Sequence, residues 1–276
     1  MKNNEYTLQS KDNLSLYGQS WQPETEPKAV VCLVHGLGEH SGRYTHVAEY
    51  LAKGGYALLA FDLRGHGKSG GRRGHTPSFE AFMQDIDLFL ADARGRFPDK
   101  PIFLYGHSLG GMLVLNYVLR RKPQLNGVVV TGAGLRSPIA EQKAKITFAR
   151  IAGSLLPNVS MPTGLDANAV SRDPEVVQRY KDDPLVHGVS TLSMAKSGFE
   201  AIPYVFEHAA ELTLPLLLMH GTADQLAYAS GSQEVAKLVK GDCTLKLWEG
   251  LAHEVHNEPE KEQVLAYMTG WLDSHV

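Results

Sequence analysis

Six short apolar runs punctuate the chain: Ala29 to Val34, Tyr56 to Phe61, Ile102 to Tyr105, Val128 to Thr131, Leu214 to Met219 and Thr244 to Trp248. The first of these is apolar without a break, which suits a strand buried on both faces in a parallel sheet; the others read as strands beside it. Between them the period changes to that of a helix. Tyr44, Val47, Ala48 and Leu51 fall on one helical face and Gly54-Gly55 can end it; Phe79, Phe82, Met83, Ile86 and Leu90 form a second face after a Thr76-Pro77 start. The residues after Ser108, then Ser232 to Val239, then Val264, Leu265, Met268 and Leu272 continue the series. Residues 5–22 alternate loosely around Lys11-Asp12-Asn13, the pattern of an edge hairpin. Strands alternating with helices predict an α/β fold with a mainly parallel central sheet and helices on both faces.

The alternation lapses between Leu135 and about Ala210. No run of comparable strength occurs there, and prolines recur at 138, 157, 162, 174, 184 and 203. The expectation is a core built from 1–134 and 211–276 with an inserted helical cap over 135–210.

Composition narrows the picture mainly by exclusion. A net charge of -3 and a pI near 6.5 provide no basic field for nucleic acid. The two cysteines, Cys32 and Cys243, cannot form a disulfide framework and read as reduced thiols. The first residues carry no apolar signal core and no run approaches the roughly 20 residues of a membrane span, so a soluble, cytoplasmic protein is expected.

The chemistry concentrates after the third run, at Gly106-His107-Ser108-Leu109-Gly110. A G-x-S-x-G sequence between strand and helix is a nucleophile elbow, in which small flanking residues allow a strained serine. Serine needs a base and an orienting acid. Asp224 follows a later strand and fits the acid; Asp62 also ends a strand but precedes the serine. His253 comes first after the last strand and fits the base, with His256 its competitor. Two backbone amides must receive the developing oxyanion, one after the nucleophile and one after the first central strand, which are Leu109 and Leu37. Gly36 and Gly38 free that loop to turn, and His35 is expected to anchor it by hydrogen bonds.

Three other patterns fail on spacing or setting. His253-Glu254-Val255-His256 is no H-E-x-x-H zinc motif, because position 257 is Asn257. Gly65 to Gly70 matches G-x-G-x-x-G but opens no helix directly. Its Gly-Lys-Ser is no P-loop, since Asp62 stands where the first glycine is required. No metal and no organic cofactor are expected.

The run His35-Gly36-Leu37-Gly38-Glu39-His40-Ser41-Gly42-Arg43-Tyr44, with Arg64-Gly65-His66-Gly67-Lys68-Ser69, the elbow, Gly221-Thr222-Ala223-Asp224 and Glu249 to His256, resembles the monoacylglycerol lipase family of α/β-hydrolases across essentially the whole chain. The resemblance implies the triad Ser108, Asp224 and His253, and a polar pocket for a glycerol head group at Glu39, Arg43, Tyr180 and His256. From the residues alone, Glu39 and Arg43 could equally be a solvated i, i+4 ion pair. The pocket cysteines of mammalian members are unmatched: Val186-His187 and Leu226-Ala227 stand there.

Ile146, Phe148, Ala149, Ile151, Ala152, Leu155 and Leu156, flanked by Lys143, Lys145 and Arg150, form a broad apolar surface. Such a helix covers an acyl tunnel, touches an anionic membrane or micelle, or packs on the core. The expected reaction is hydrolysis of a monoacylglycerol or similar single-chain ester. Alternatives are a lysophospholipid, another carboxylic ester or a peptide on the same triad, or a non-catalytic binding protein.

Overall fold

The structure, a computed structural model, describes residues 1–139 and 142–276, with the side chains of 143–145 outside the description. An eight-stranded sheet runs in the order β1-β2-β4-β3-β5-β6-β9-β10, formed by β1 (Lys2–Gln9), β2 (Ser15–Gln22), β3 (Ala29–Val34), β4 (Tyr56–Phe61), β5 (Ile102–His107), β6 (Gly127–Thr131), β9 (Leu216–Gly221) and β10 (Cys243–Trp248). β1 pairs β2, and β2 pairs β4, antiparallel; the pairings from β4 to β10 are parallel. The edge hairpin at the N-terminus is therefore present, as are all six strands marked by apolar runs.

Successive strand residues point to opposite faces, and the helices sort accordingly. Val30, Cys32 and Val34 face α2 (Phe79–Arg96), α3 (Leu109–Arg121) and α7 (Ala229–Leu238). Ala29, Val31 and Leu33 face α1 (Thr45–Lys53) and α8 (Lys261–Asp273). Both faces of β3 are thus sealed, which is why its apolar run has no polar alternation. Cys32 is buried in the middle of the sheet and Cys243 lies on the edge strand; both are free thiols.

The start of α2 differs from the sequence expectation. Thr76-Pro77 precede the helix, and Ser78 caps it by accepting a hydrogen bond from the Ala81 amide.

Between β6 and β9 lie α4 (Lys143–Leu155), α5 (Pro174–Asp182) and α6 (Leu192–His208), together with a small antiparallel pair, β7 (Ser160–Pro162) and β8 (Val189–Thr191). That pair has no counterpart in the sequence pattern, because three residues are too few to show an alternation. No helix among the described residues is long and apolar enough to cross a membrane.

Candidate active site

Ser108 sits between β5 and α3 with φ 55° and ψ -116°. A non-glycine residue rarely adopts such angles, and close packing explains how it is held. A Cβ on Gly106 would lie 2.4 Å from the Gly110 carbonyl oxygen, and one on Gly110 would lie 2.0 Å from that of Val34. Only glycines let the turn fold this tightly. The Ser108 amide donates to Thr131 O at 3.0 Å, tying the turn to β6.

The parallel register brings the strand ends to the same edge of the sheet. His253 Nε2 lies 2.9 Å from Ser108 Oγ and His253 Nδ1 lies 2.7 Å from Asp224 Oδ2. The neutral ring thus donates to the carboxylate and accepts from the hydroxyl. Gly221, at the end of β9, permits the approach of the histidine loop: its Cβ would lie 2.2 Å from Leu251 O. His256, the competitor for the base, does not reach Ser108. It is fully buried, stacks on Tyr44 at 4.8 Å and meets His107 edge-on at 4.8 Å. Neither of its ring nitrogens has a hydrogen-bond partner among the described residues.

Asp224 is held from every side. Oδ1 accepts from the Leu226 and Ala227 amides, each at 2.9 Å. Oδ2 accepts from a second imidazole besides His253: His220 Nε2 lies 3.0 Å away and also 2.8 Å from Ala227 O. Both of those partners only accept, so Nε2 of His220 carries the proton and Nδ1 accepts from Ser232 Oγ at 2.8 Å. Sequence reasoning passed over His220; its position four residues before Asp224 at a strand end was the available signal. Burial by itself would raise the Asp224 carboxyl, but the His253 charge and the hydrogen bonds from both histidines outweigh it and hold it well below the usual carboxylate range. Burial lowers His253, yet the Asp224 charge and hydrogen bond prevail and its pKa ends above the ordinary 6.5.

Glu39 and Arg43 are not the solvated pair that their spacing allowed. Glu39 is 2% exposed. Its Oε1 accepts from the Gly36 amide at 2.6 Å and the Tyr44 hydroxyl at 2.8 Å, and its Oε2 from Arg43 Nη1 at 2.7 Å. Arg43 also forks onto Glu254, with both contacts at 2.6 Å, and its guanidinium covers the Tyr180 ring at 4.7 Å. Glu254, adjacent to the triad histidine, is a second residue that sequence reasoning missed. Burial raises Glu39, but Arg43, His107 and His35 prevail and bring it to about 2.

His35 anchors the loop as expected: its Nε2 accepts from the Leu63 amide at 2.9 Å, and its Nδ1 lies 2.8 Å from Gly36 O. The insertion also grips this loop, since the His187 amide donates to Gly38 O at 2.9 Å.

Ser108 opens into a cavity of about 640 Å³. Leu37, Leu109, Glu39, Tyr180 and Glu254 line its polar end, and Phe79, Phe82, Met112 and α6 side chains line the rest. Arg43 and His256 are not on its wall; Arg43 borders a second cavity of about 440 Å³, shared with Tyr180. A serine hydroxyl bonded to an imidazole, beside a mostly apolar chamber, can transfer an acyl group.

Residues 25–260 match the family described as serine aminopeptidase, S33. The chain belongs to this family of α/β-hydrolases. Its members most like it include a monoacylglycerol lipase from Mycolicibacterium smegmatis, 39% identical over 93% of this chain and 92% of that protein. An abhydrolase-domain protein from Dictyostelium discoideum is also 39% identical, over 96% of this chain; the chain spans 28% of that protein's length. Among solved structures, a monoacylglycerol lipase from Paleococcus ferrophilus superposes with a TM-score of 0.87 at 36% identity, covering 95% of this chain and 99% of that one. The chain therefore shares its fold, including the mostly parallel sheet, with a monoacylglycerol lipase of known structure.

Proposed function

We propose that the protein is a serine carboxylic ester hydrolase that cleaves monoacylglycerols to glycerol and a free fatty acid. The observation that carries the proposal is the 2.9 Å contact of Ser108 Oγ with His253 on the wall of a mostly apolar cavity that Glu39, Tyr180 and Glu254 also line. The relatives named above supply the substrate class.

In this reading Ser108 Oγ attacks the ester carbonyl while His253 Nε2 takes its proton. Asp224 keeps the ring in the donating tautomer and stabilises the imidazolium. The Leu37 and Leu109 amides receive the oxyanion; Glu39 supports this by occupying the neighbouring Gly36 amide and fixing the turn. The imidazolium returns its proton to the departing glycerol oxygen. Water then attacks the acyl-enzyme by the same route and releases the fatty acid.

Glu39 and Tyr180 meet the glycerol hydroxyls, with Arg43 setting the orientation of both and His256 backing the wall through His107. Residues 135–210 act as a cap over the cavity. Phe148, Ile151 and Leu155, which are 59%, 60% and 74% exposed, would rest on a lipid surface. Of the basic residues flanking them, Arg150 is exposed, and the side chains of Lys143 and Lys145 lie outside the described residues. The protein would work in the cytoplasm, against membranes or micelles.

The test is a panel of monoacylglycerols of graded chain length beside di- and triacylglycerols, lysophosphatidylcholine and proline p-nitroanilide. Monoacylglycerols should be cleaved fastest, and Ser108→Ala should abolish both this cleavage and labelling by a fluorophosphonate. Faster turnover of the lysophospholipid or the anilide would overturn the substrate assignment. Unlabelled, folded wild-type protein would overturn catalysis itself.

A further inference from the structure

The cavity wall contributed by α6 consists of Met194, Ala195, Gly198, Phe199 and Ile202. These positions recur with helical spacing on one face, and at 1.5 Å per residue they extend along roughly 12 Å of the chamber. Gly198 stands near the middle of that stretch and near the middle of the 17-residue helix. Glycine is unfavourable there, since it costs the chain backbone entropy and packs nothing.

Two ordinary reasons for a helical glycine do not apply. Close packing explains Gly153 in α4, where a Cβ would lie 2.6 Å from Leu192 O and 2.8 Å from Lys196 Cβ. At Gly198 a Cβ would meet nothing within 4 Å, and the residue has no positive φ. Gly95 and Gly270 also have open space beside them, but both are exposed and sit in the last turns of their helices, facing solvent. Gly198, by contrast, is half-buried and lines the cavity.

Nor can α6 move in to fill that space freely. Buried Asn116, in α3, donates to Ala201 O at 3.2 Å and holds the two helices at a fixed separation. The same α3 contributes Met112 and Leu113 to the chamber. The gap left by the absent side chain is therefore a permanent part of the cavity.

We propose that Gly198 is a specificity-determining position, where the missing side chain reserves room for the middle of a long acyl chain. The inference rests on reading the chamber as the acyl site. A side chain at 198 would shorten the usable tunnel, leaving short acyl groups near Ser108 unobstructed.

The experiment compares wild type, Gly198→Ala, Gly198→Leu and, as an outward-facing control, Gly270→Leu on p-nitrophenyl esters from acetate to palmitate. Each variant is first shown to be folded and labelled by a fluorophosphonate. In Gly198→Leu the ratio of kcat/KM for palmitate over butyrate should fall at least about tenfold, which corresponds to about 1.4 kcal/mol. Gly198→Ala should shift the ratio less and raise the melting temperature by roughly 2–4 °C, because alanine is the better helix former. Gly270→Leu should leave the ratio as it is.

A Gly198→Leu protein with the wild-type chain-length profile, or one losing activity equally at every length, overturns the proposal. Using nitrophenyl esters separates it from the glycerol assignment. Wild type that cleaves long nitrophenyl esters but no monoacylglycerol would remove the latter and leave Gly198 to be judged by its ratio. Wild type inactive on every ester longer than butyrate would overturn both.

Discussion

Asp224 receives His220 and His253 on a single carboxylate oxygen, at 3.0 and 2.7 Å. A carboxylate so placed stays ionised, and its charge acts on the His253 ring, the base in the proposed reaction. The base works only when neutral, and its pKa lies above 6.5. The rate constant kcat/KM should therefore fall on acidification through an apparent pKa above 6.5, a limb readable from a pH series on any cleaved ester. Asp224→Asn removes the charge that raises the ring, so the limb should move down and kcat should drop by about four orders of magnitude. A wild-type limb below 6.5 would contradict the coupling, as would an Asn variant of near-normal rate.

At the scale of elements, α4 presents Ile151 and Leu155 outward, Phe148 is exposed but also lines the cavity, and Ala149 and Ala152 are buried; Gly153 allows a close approach to α6. An apolar face left toward water on a helix that also has a packed face is the arrangement of a surface-seeking helix. Liposomes containing anionic lipid should carry the protein to the top of a flotation gradient, and Ile151→Glu should return much of it to the soluble fraction. Wild type remaining wholly soluble would show that this face does not seek lipid. The sequence pattern already suggested this helix and the core strands, because burial on both faces leaves so plain a mark in a run such as Ala29 to Val34. Features made by contacts distant in sequence were not legible. The fork of Arg43 onto Glu254 joins residues 211 positions apart, and the second imidazole on Asp224 depends on how β9 ends. The β7–β8 pair, three residues on each side, is specified by its partners more than by its own pattern. The Glu39–Arg43 spacing was legible, but whether the pair faced water was not, since burial depends on what the rest of the chain lays over it.

Across the whole molecule, burial holds His66, His107 and His256 below their ordinary 6.5, with neighbouring histidines pushing the same way. The unfolded chain takes up these protons near 6.5 while the native state refuses them, and His107 does so until about 4. Their contribution to stability is thus complete above 6.5 and declines as pH falls below it. Glu39 adds a later loss: its usual value is 4.5 and its folded value about 2, so its stabilisation is present above 4.5 and disappears as pH falls toward 2. His253 runs in the opposite sense, stabilising below 6.5 and losing that contribution as pH rises through its folded value. The three histidines and Glu39, set against His253 alone, predict that melting temperatures measured from about pH 8 down to about pH 4 fall steadily below neutrality, less steeply in His256→Gln than in wild type. Equal melting temperatures at the two ends would refute this.

The segment between β6 and β9 is fastened to the rest of the chain by bonds that adjoin Ser108 and His253. The His187 amide holds Gly38 O at 2.9 Å, the Thr191 amide holds Gly74 O at 2.8 Å, and the Glu254 amide holds Val170 O at 2.8 Å. Fully buried Glu258 accepts from Ser171 Oγ and the Arg172 amide on the insertion, each at 2.6 Å, and from the Ala252 amide of the histidine loop at 3.1 Å. Mechanically this is a tent pegged around its rim, not a door on a hinge. Lifting it in one piece would pull the pegs beside His253 and Gly38 and dismantle the reaction centre in the act of admitting a substrate. On the side of β7 a further, exposed side-chain bond of 3.1 Å joins Arg72 to Ser160. Whatever enters the cavity must therefore do so with the half of the tent around His253 still pegged.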